Sequence, residues 1–288
     1  MALNDGVFAD ALTPRRDAEI DLGATLEIID FLNAAKVDGV VLFGAAGEAV
    51  HFSLPDRLKL YNLASRRSRV PMIAGVTHST LDGAVELAEA AIRADAAALL
   101  LAPPFAYRCR QADICDFFRG FARQVDGAPI LLHNLPALTE AMEPATAAAL
   151  LATGLFEGVA DASGDAAWLG EVASACARPF TSVAANDSAL LESNNSGHVI
   201  SAAACAVPEL LRRPGGGSPL APRLREFLSR ASCFPFPMAI REALAMRRIK
   251  TGPHAVDPGD AAATRLAEFR EWFRAWLPEV LNEARGAK

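Results

Sequence analysis

The chain has 288 residues, of which 52% are apolar and 22% are charged. This composition is enough to bury a large core, and one α/β domain of about 250 residues with a helical tail accounts for the length. The formal net charge is −6 at pH 7, and the arginines occur in small clusters rather than in one basic stripe. We therefore expect no nucleic-acid partner, because neutralising phosphates supplies most of that affinity.

The cysteines and the apolar segments exclude further classes of protein. No stretch of about 18 apolar residues occurs, and the N-terminus lacks a basic segment followed by an apolar one. The sequence therefore predicts a cytosolic protein that does not enter a membrane. The five cysteines are odd in number and form no CxxC pair, which argues against a disulfide framework or a thiolate metal site.

Short apolar runs alternate with amphipathic stretches along most of the chain, a pattern typical of repeated βα units around a parallel sheet. The predicted strands cover 6–12, 39–44, 71–76, 97–104, 129–134, 158–162, 180–185 and 198–204. Their spacing leaves room for one helix after each strand, and eight such units close a barrel. We therefore predict a (β/α)8 TIM barrel over residues 1–211.

Most of the remaining residues are predicted to be helical. The segment 212–219 contains glycines and prolines that exclude helix, so it reads as a connector. Helices are expected near 220–231, 235–250 and 259–284, and we expect the region 220–288 to pack on the barrel as one structural unit with it. The last helix carries apolar residues at helical spacing: Leu266, Phe269, Trp272, Phe273, Trp276 and Leu277.

The ends of the fifth and sixth predicted strands read PILLHNLP (129–136) and FEGVADASGD (156–165). They resemble motifs of the dihydrodipicolinate synthase and N-acetylneuraminate lyase family, in which the first strand ends in Tyr-Asn-x-Pro and the second in Gly-Ile-Lys-x-x-Ser-Gly-Asp. The resemblance implies a class I aldolase-type barrel that joins or splits 2-oxo acids through an enzyme-bound imine. Further matches lie at 11–14, 44–48, 70–105 and 186–211, so the resemblance spans almost the full chain.

The resemblance also shows what this chain lacks. The family's tyrosine position is His133, and its imine-forming lysine position is Ala160. An imine needs a primary amine, which only lysine supplies away from the N-terminus. The four lysines, at 36, 59, 250 and 288, are all predicted to lie away from the ends of barrel strands, where the active site of such a barrel is built. The sequence therefore predicts a lyase-family protein without imine chemistry, and we expect no cofactor.

Other parts of the family's imine apparatus are replaced as well. Two threonines that pass a proton to the tyrosine are Ala45 and Ala46 here, and a carboxylate-binding arginine is Leu138. An aromatic residue often supplied across a dimer aligns with residues 105–106, next to Tyr107. Several coherent departures favour natural loss of the imine route over one engineered substitution at the lysine position.

The glycine-rich segment GAAGE (44–48) is predicted to retain part of a ligand site. Its backbone N–H groups can bind an anion, because such a nest depends on backbone shape and not on threonine side chains. The alternative is that its glycines only turn the chain at a strand-to-helix corner. We expect a small 2-oxo acid or another carboxylate at the barrel mouth. The implied substrate-binding positions are Ala45, Ala46, Gly47, Leu138, Ser163 and Ile200.

His133 offers a different chemistry. Its ordinary pKa of about 6.5 suits proton transfer near neutral pH, so it can act as a general acid or base without a lysine. It can equally be a buried histidine satisfied by a neighbouring carbonyl, and Ser163 can equally form the turn before the next helix. A metal bound by His78, His133 and a carboxylate would lack any diagnostic spacing, so we predict no metal site.

Three functions stay open on the sequence. The first is a barrel that has lost imine chemistry and binds a small carboxylate, as a non-catalytic or regulatory relative of the family. The second is an active lyase or hydrolase that acts on a 2-oxo acid through His133, with or without a metal. The third is a structural partner of an active paralogue. The resemblance also implies a homo-oligomer, either a dimer or a tetramer.

Overall fold

A computed structural model describes residues 5–191, 197–211 and 220–286 of the chain. Eight parallel strands close a barrel in which neighbours in the chain are neighbours in the sheet. They are β1 (Gly6–Asp10), β2 (Gly39–Leu42), β3 (Met72–Gly75), β4 (Ala98–Leu101), β5 (Ile130–Asn134), β6 (Gly158–Asp161), β7 (Thr181–Ala184) and β8 (His198–Ser201). Each strand lies within an apolar run identified in the sequence, so the predicted (β/α)8 barrel is confirmed.

An α-helix follows each of the first six strands. These helices are α1 (Leu22–Ala35), α2 (Leu54–Arg67), α3 (Leu81–Arg93), α4 (Gln111–Ala122), α5 (Pro144–Ala152) and α6 (Trp168–Ala175). The seventh unit differs from the prediction, because β7 is followed by the 3-10 helix Asp187–Leu191. Residues 185–197 are too few for a long helix and its turns, and the Asn186 side chain ends the strand by accepting the N–H of Ala189 at 3.0 Å.

Four further α-helices follow β8 in the described residues: α7 (Ala203–Ala206), α8 (Ala221–Ala231), α9 (Met238–Met246) and α10 (Gly259–Gly286). The predicted connector at 212–219 lies outside the described residues. Helix α9 starts later than expected because Pro235 and Pro237, which cannot donate a backbone hydrogen bond, precede it. None of the described helices combines the length and apolarity that a membrane crossing requires.

The C-terminal helices are joined to each other and to the barrel by specific contacts. The predicted aromatic face of α10 packs on Phe227 of α8, with ring centroids 6.2 Å away at Phe273 and 5.9 Å at Trp276. Arg241 of α9 is buried and donates hydrogen bonds to the Glu48 carboxylate, in the loop after β2, and to a backbone carbonyl. Helix α9 is therefore tied to the end of the barrel at which β2 terminates. The division of the chain into 1–211 and 220–288 stays a prediction.

Apolar side chains fill the barrel interior in layers. The cluster comprises Phe8, Val41, Ile73, Ala98, Leu100, Leu131, Ala160, Val183 and Ile200. Because side chains alternate along a strand, the residues two positions beyond Phe8, Ile73, Leu131 and Val183 form the next layer. That layer, at the carboxyl ends of the strands, consists of Asp10, Gly75, His133 and Ala185. Asp10 and His133 are therefore the polar side chains of the layer at the barrel mouth.

Candidate functional site at the barrel mouth

The loop of residues 43–48, here called the mouth loop, folds over the carboxyl ends of β1 and β3. Phe43 and Glu48 have left-handed backbone conformations, with φ of 54° and 48°. A Cβ atom at Gly75 would lie 2.0 Å from the carbonyl oxygen of Phe43, and one at Gly47 would lie 2.6 Å from its Cα atom. Both positions therefore require glycine, because the backbone passes too close for any side chain.

Packing around Phe43 holds the mouth loop in this conformation. The Phe43 ring lies edge-on to Tyr61, with centroids 5.6 Å apart, and 5.0 Å from the Arg57 guanidinium carbon. Arg57 is buried and donates to the carbonyls of Gly75 and Thr77, both at 2.9 Å. The Tyr61 hydroxyl donates to the same Gly75 carbonyl at 2.7 Å. These contacts offset the cost of a left-handed phenylalanine, which is about 1–2 kcal/mol.

The carboxylate of Asp10 lies directly beneath the mouth loop. Asp10 is the last residue of β1 and only 3% exposed. Its Oδ2 atom accepts the N–H of Ala46 at 2.9 Å, and the N–H of Ala45 also donates to the carboxylate. Its Oδ1 atom is buried without a partner among the described residues, and a Cβ atom at Gly44 would lie 2.4 Å from it. The backbone donors expected to bind a ligand anion therefore point at a carboxylate of the chain itself.

Asp10 is an unusual acid because of this burial. Desolvation raises its pKa to about 7, and the two backbone N–H groups only partly oppose the effect. The nearby carboxylate of Asp187 raises the pKa further, and no salt bridge to Asp10 exists within the described ranges. Asp187 is itself a buried acid with a raised pKa, and it accepts hydrogen bonds from the Ser201 hydroxyl at 2.6 Å and the Ala203 N–H at 3.0 Å. Asp10 thus exchanges its proton near neutral pH.

His133 lies in the same layer as Asp10, on β5, and is 3% exposed. Burial lowers the pKa of its imidazole to about 4, so the ring is neutral at neutral pH. In the part of the chain that the structure describes, neither ring nitrogen has a hydrogen-bond partner, so no carbonyl there satisfies it. A neutral imidazole and an acid with a pKa near neutrality, held in one layer, are the two components of general acid–base chemistry.

The other predicted site residues lie inside the barrel or in the loops at its mouth. Ala160 and Ile200 belong to the apolar cluster inside the barrel and are 0% and 4% exposed. The Ser163 hydroxyl is used within its own turn, where it donates to Asp161 at 2.8 Å. Leu138 is exposed to solvent on the loop after β5. The fold thus brings Ala45, Ala46, Ala160 and Ile200 to the barrel, while the ligand contacts of the predicted positions stay predictions.

His78 and Asp161, two of the residues weighed as metal ligands, have other partners. His78 accepts the N–H of Thr80 at 3.1 Å at the start of α3, and the Asn134 amide donates to Asp161 at 2.7 Å. Among the described residues, no group of three or more His, Cys, Asp or Glu side chains is arranged to hold a metal ion.

Sequence reasoning missed Asp10, although the sequence contains a signal for it. Asp10 is the one charged residue in the apolar run GVFADAL, which covers 6–12. A carboxylate in a strand buried on both faces must find hydrogen-bond donors or take up a proton. A charged residue in such a run is therefore a candidate for function.

Substitutions of Asp10 and His133 are expected to change the pH dependence of stability in opposite directions. The folded pKa of Asp10, about 7, exceeds its ordinary 3.8. Its stabilising contribution is therefore complete below pH about 4 and is lost as the pH rises to about 7. The folded pKa of His133, about 4, lies below its ordinary 6.5. Its contribution is therefore present above pH about 6.5 and is lost as the pH falls to about 4.

The free energy of unfolding, measured with urea at several pH values between 4 and 8, checks this expectation. Relative to the parent protein, Asp10→Asn removes a decline in stability with rising pH, and His133→Asn removes an increase. Each effect is on the scale of a few kcal/mol, because one pKa unit corresponds to about 1.4 kcal/mol. The exposed Asp116 on α4 provides a control, since Asp116→Asn should leave the profile unchanged. Parallel profiles for all four proteins would contradict the assigned burial of these groups.

Comparison with known proteins identifies the family of the chain. A sequence profile of the dihydrodipicolinate synthetase family matches residues 4–213. The 4-hydroxy-tetrahydrodipicolinate synthase of Methanococcoides burtonii is 32% identical over 136 residues, which are 47% of this chain and 46% of that protein. The synthase of Desulfotalea psychrophila is 28% identical over 192 residues, 66% of this chain and 64% of that protein. The match to each of these curated relatives thus spans less than two thirds of the relative's length.

A solved structure with the same architecture is that of YagE, a prophage protein of the dihydrodipicolinic acid synthase family from E. coli K12, in complex with pyruvate. The two structures align with a TM-score of 0.82 over 96% of this chain and 99% of that chain, at 22% sequence identity. At this identity the likeness shows the fold alone. The family profile, in contrast, covers the whole barrel, and the chain belongs to the dihydrodipicolinate synthetase family.

Proposed function

We propose that the protein has lost the imine chemistry of its family and binds a small 2-oxo acid or another carboxylate at the barrel mouth, as a non-catalytic or regulatory relative. The observation that carries the proposal is the side chain at the end of β6. The resemblance assigns the imine-forming lysine to Ala160, whose methyl group is fully buried inside the barrel. A methyl group cannot condense with a ketone, so this position supplies no nucleophile.

The locations of the other lysines support the loss. Lys36 caps the end of α1, Lys59 lies on α2 and 3.7 Å from Asp56, and Lys250 follows α9. All three are exposed, and none of these described lysines belongs to a barrel strand. Lys288 lies outside the described residues. A substitute amine would have to reach the mouth from one of these positions.

The mouth loop supports the binding part of the proposal. The N–H groups of Ala45 and Ala46 converge on one carboxylate, that of Asp10, so the loop has a shape that suits a carboxylate. YagE, which shares the fold, was solved with pyruvate. Pyruvate is therefore the appropriate first probe for this chain.

Reductive trapping tests the chemical part. Treatment with pyruvate and borohydride is expected to leave the mass of the protein unchanged, because trapping needs an amine within bonding distance of the ketone. Intact-protein mass spectrometry measures the result, with a lysine-containing family member as the positive control. The variant Ala160→Lys restores an amine at the end of β6, and a folded variant should gain the mass of one reduced pyruvate. A pyruvate adduct on the parent protein would refute the proposal.

Thermal unfolding tests the binding part. Pyruvate at about ten times its Kd should stabilise the protein by about 1.4 kcal/mol, which raises the Tm by about 2–4 °C. Differential scanning calorimetry at pH 6 measures this shift, with chloride at equal ionic strength as the control. If neither pyruvate nor any other small 2-oxo acid raises the Tm, the binding part is wrong.

A second candidate is an active lyase or hydrolase that acts on a 2-oxo acid without an imine. The opposed pKa values of His133 and Asp10 favour it, because a neutral base and a protonated acid coexist between about pH 4 and 7. This function requires turnover that His133→Asn reduces by about 10² to 10⁴ while the binding of pyruvate persists. A chelator would abolish the turnover only if a metal replaces the lysine. If a panel of 2-oxo acids gives no turnover, this second function is contradicted and the non-catalytic carboxylate-binding function is retained.

The partners of the chain also belong to this proposal. We propose a cytosolic homo-oligomer, a dimer or a tetramer, because the family resemblance implies one. The exposed Tyr107 lies next to the position at which the family often supplies an aromatic residue across a dimer. Sedimentation as a monomer at micromolar concentration would contradict the proposed oligomer. The remaining alternative is that the protein is a structural partner of an active paralogue. Co-purification of the two proteins from the source organism tests this alternative.

A further inference from the structure

We propose that the Asp10 carboxylate competes with ligands for the backbone N–H groups of the mouth loop. A ligand carboxylate then binds these N–H groups only by displacing Asp10 from them. This inference rests on the proposed carboxylate site and adds a means of regulating it. The competing group is part of the chain, so its strength depends on the ionisation of one side chain.

The hydrogen bonds of the mouth loop define the competition. The N–H of Ala46 is 2.9 Å from Asp10 Oδ2, and the N–H of Ala45 donates to the same carboxylate. Glycine is required at Gly47 and Gly75 by the close approach of Phe43, so the loop has little freedom to present other donors. A ligand carboxylate must therefore take these two N–H groups from Asp10.

The second oxygen of Asp10 indicates that a ligand can displace this carboxylate from the mouth loop. Oδ1 is buried beside Gly44 and has no partner in the described segments. A purely structural carboxylate would be expected to use both oxygens, because an unsatisfied buried acceptor costs about 1–3 kcal/mol. Asp10 is thus held by the mouth loop on one side only. Protonation or displacement removes a buried charge whose burial is only partly compensated.

The groups around Asp10 that the structure describes do not neutralise its charge. Burial lowers the pKa of His133 to about 4 and raises that of the Cys205 thiol to about 12, so both are uncharged near neutral pH. Within the described residues, the titratable and charged groups facing this region are Asp187 after β7, His133 on β5, Cys205 on α7, the Glu48–Arg241 pair, and the Arg247–Glu209 pair near Cys205. Both arginines in this set have their own carboxylate partners.

Binding of a carboxylate is therefore coupled to proton uptake. A ligand carboxylate beside Asp10 and Asp187 would place three acids together, and like charges at this separation favour protonation of one of them. Below pH about 7 Asp10 is already neutral, and its hold on the mouth loop is weak. Above that pH each bound ligand must take up about one proton, so the affinity should fall almost tenfold per pH unit.

Titration calorimetry with pyruvate on the full chain, between pH 6 and 9, tests the inference. In the parent protein we expect the affinity to fall toward tenfold per pH unit above pH about 7. Asp10→Asn keeps the size of the side chain but cannot ionise, so its affinity should stay constant and match the parent's at pH 6. Asp10→Ala frees both donors and should bind about tenfold more tightly than the parent at pH 8, the scale of a hydrogen bond to a charged group.

Heats measured at pH 8 in two buffers of different ionisation enthalpy add a direct count of protons. The parent should take up close to one proton per pyruvate, and both Asp10 variants should take up fewer. Asp116→Asn, a change of an exposed aspartate on α4, should behave as the parent does. Circular dichroism and thermal unfolding establish that each variant is folded. If Asp10→Ala fails to fold, Asp10→Asn carries the test, because its amide oxygen can still accept the Ala46 N–H.

The outcomes separate this inference from the proposed function. Equal affinity and an equal pH profile in the parent and in Asp10→Asn would overturn the role of Asp10, while the binding itself would uphold the carboxylate site. Failure of all three folded proteins to bind pyruvate at any pH would contradict the proposed function, and the role of Asp10 with it. Binding by the Asp10 variants alone at pH 8 would support the inference.

Discussion

The hydrogen bond between the Asp10 carboxylate and the backbone of Ala46 determines the architecture of the barrel mouth. It joins the end of β1 to the loop after β2, and it brings a charged group into a layer that is otherwise apolar except for His133. This hydrogen bond also explains the glycine at position 44, because any side chain there would collide with the Asp10 carboxylate. The raised pKa of Asp10 follows from the same placement, since the loop that supplies its donors also excludes water.

The packing of the barrel is compatible with the proposed loss of imine chemistry. Strands β1 to β8 and the layered interior need only apolar side chains of suitable volume, and Ala160 and Ile200 meet that need. Imine chemistry, in contrast, depends on one nucleophilic amine, which the packing of the barrel does not require. In the described layer at the mouth, the polar side chains are the acid Asp10 and the neutral imidazole of His133, which differ from an amine in both charge and reactivity. The proposed change of function therefore requires no change of fold.

A buried ion pair links the C-terminal helix α9 to the mouth loop. Arg241 of α9 donates to Glu48, the last residue of the mouth loop, and to the Thr251 carbonyl. A charged pair taken out of water stabilises a fold only weakly, but removal of one partner leaves an uncompensated buried charge. The position of α9 and the conformation of the mouth loop are therefore linked. A ligand that moves the loop would act against this contact as well as against Asp10.

The sequence by itself determined the eight strands, the C-terminal aromatic face and the absence of an amine at Ala160. Strands buried on both faces appear as continuous apolar runs, helix faces follow a fixed period, and a missing functional group is visible in the identity of a single residue. These features are local, so no knowledge of distant contacts was needed. The shorter seventh unit and the late start of α9 were misjudged, because turn residues and prolines outweighed the spacing of the apolar residues.

Only the tertiary structure decided which group accepts the backbone hydrogen bonds of the mouth loop. Asp10 and Ala46 belong to different βα units, and nothing in either segment specifies that the backbone donors of one meet the carboxylate of the other. The pKa values of Asp10 and His133 are likewise set by burial, which depends on how the loops cover the barrel and not on the residues' own identities. Residue chemistry can be read along the chain, but hydrogen-bond partners and desolvation arise only when separate segments are brought together.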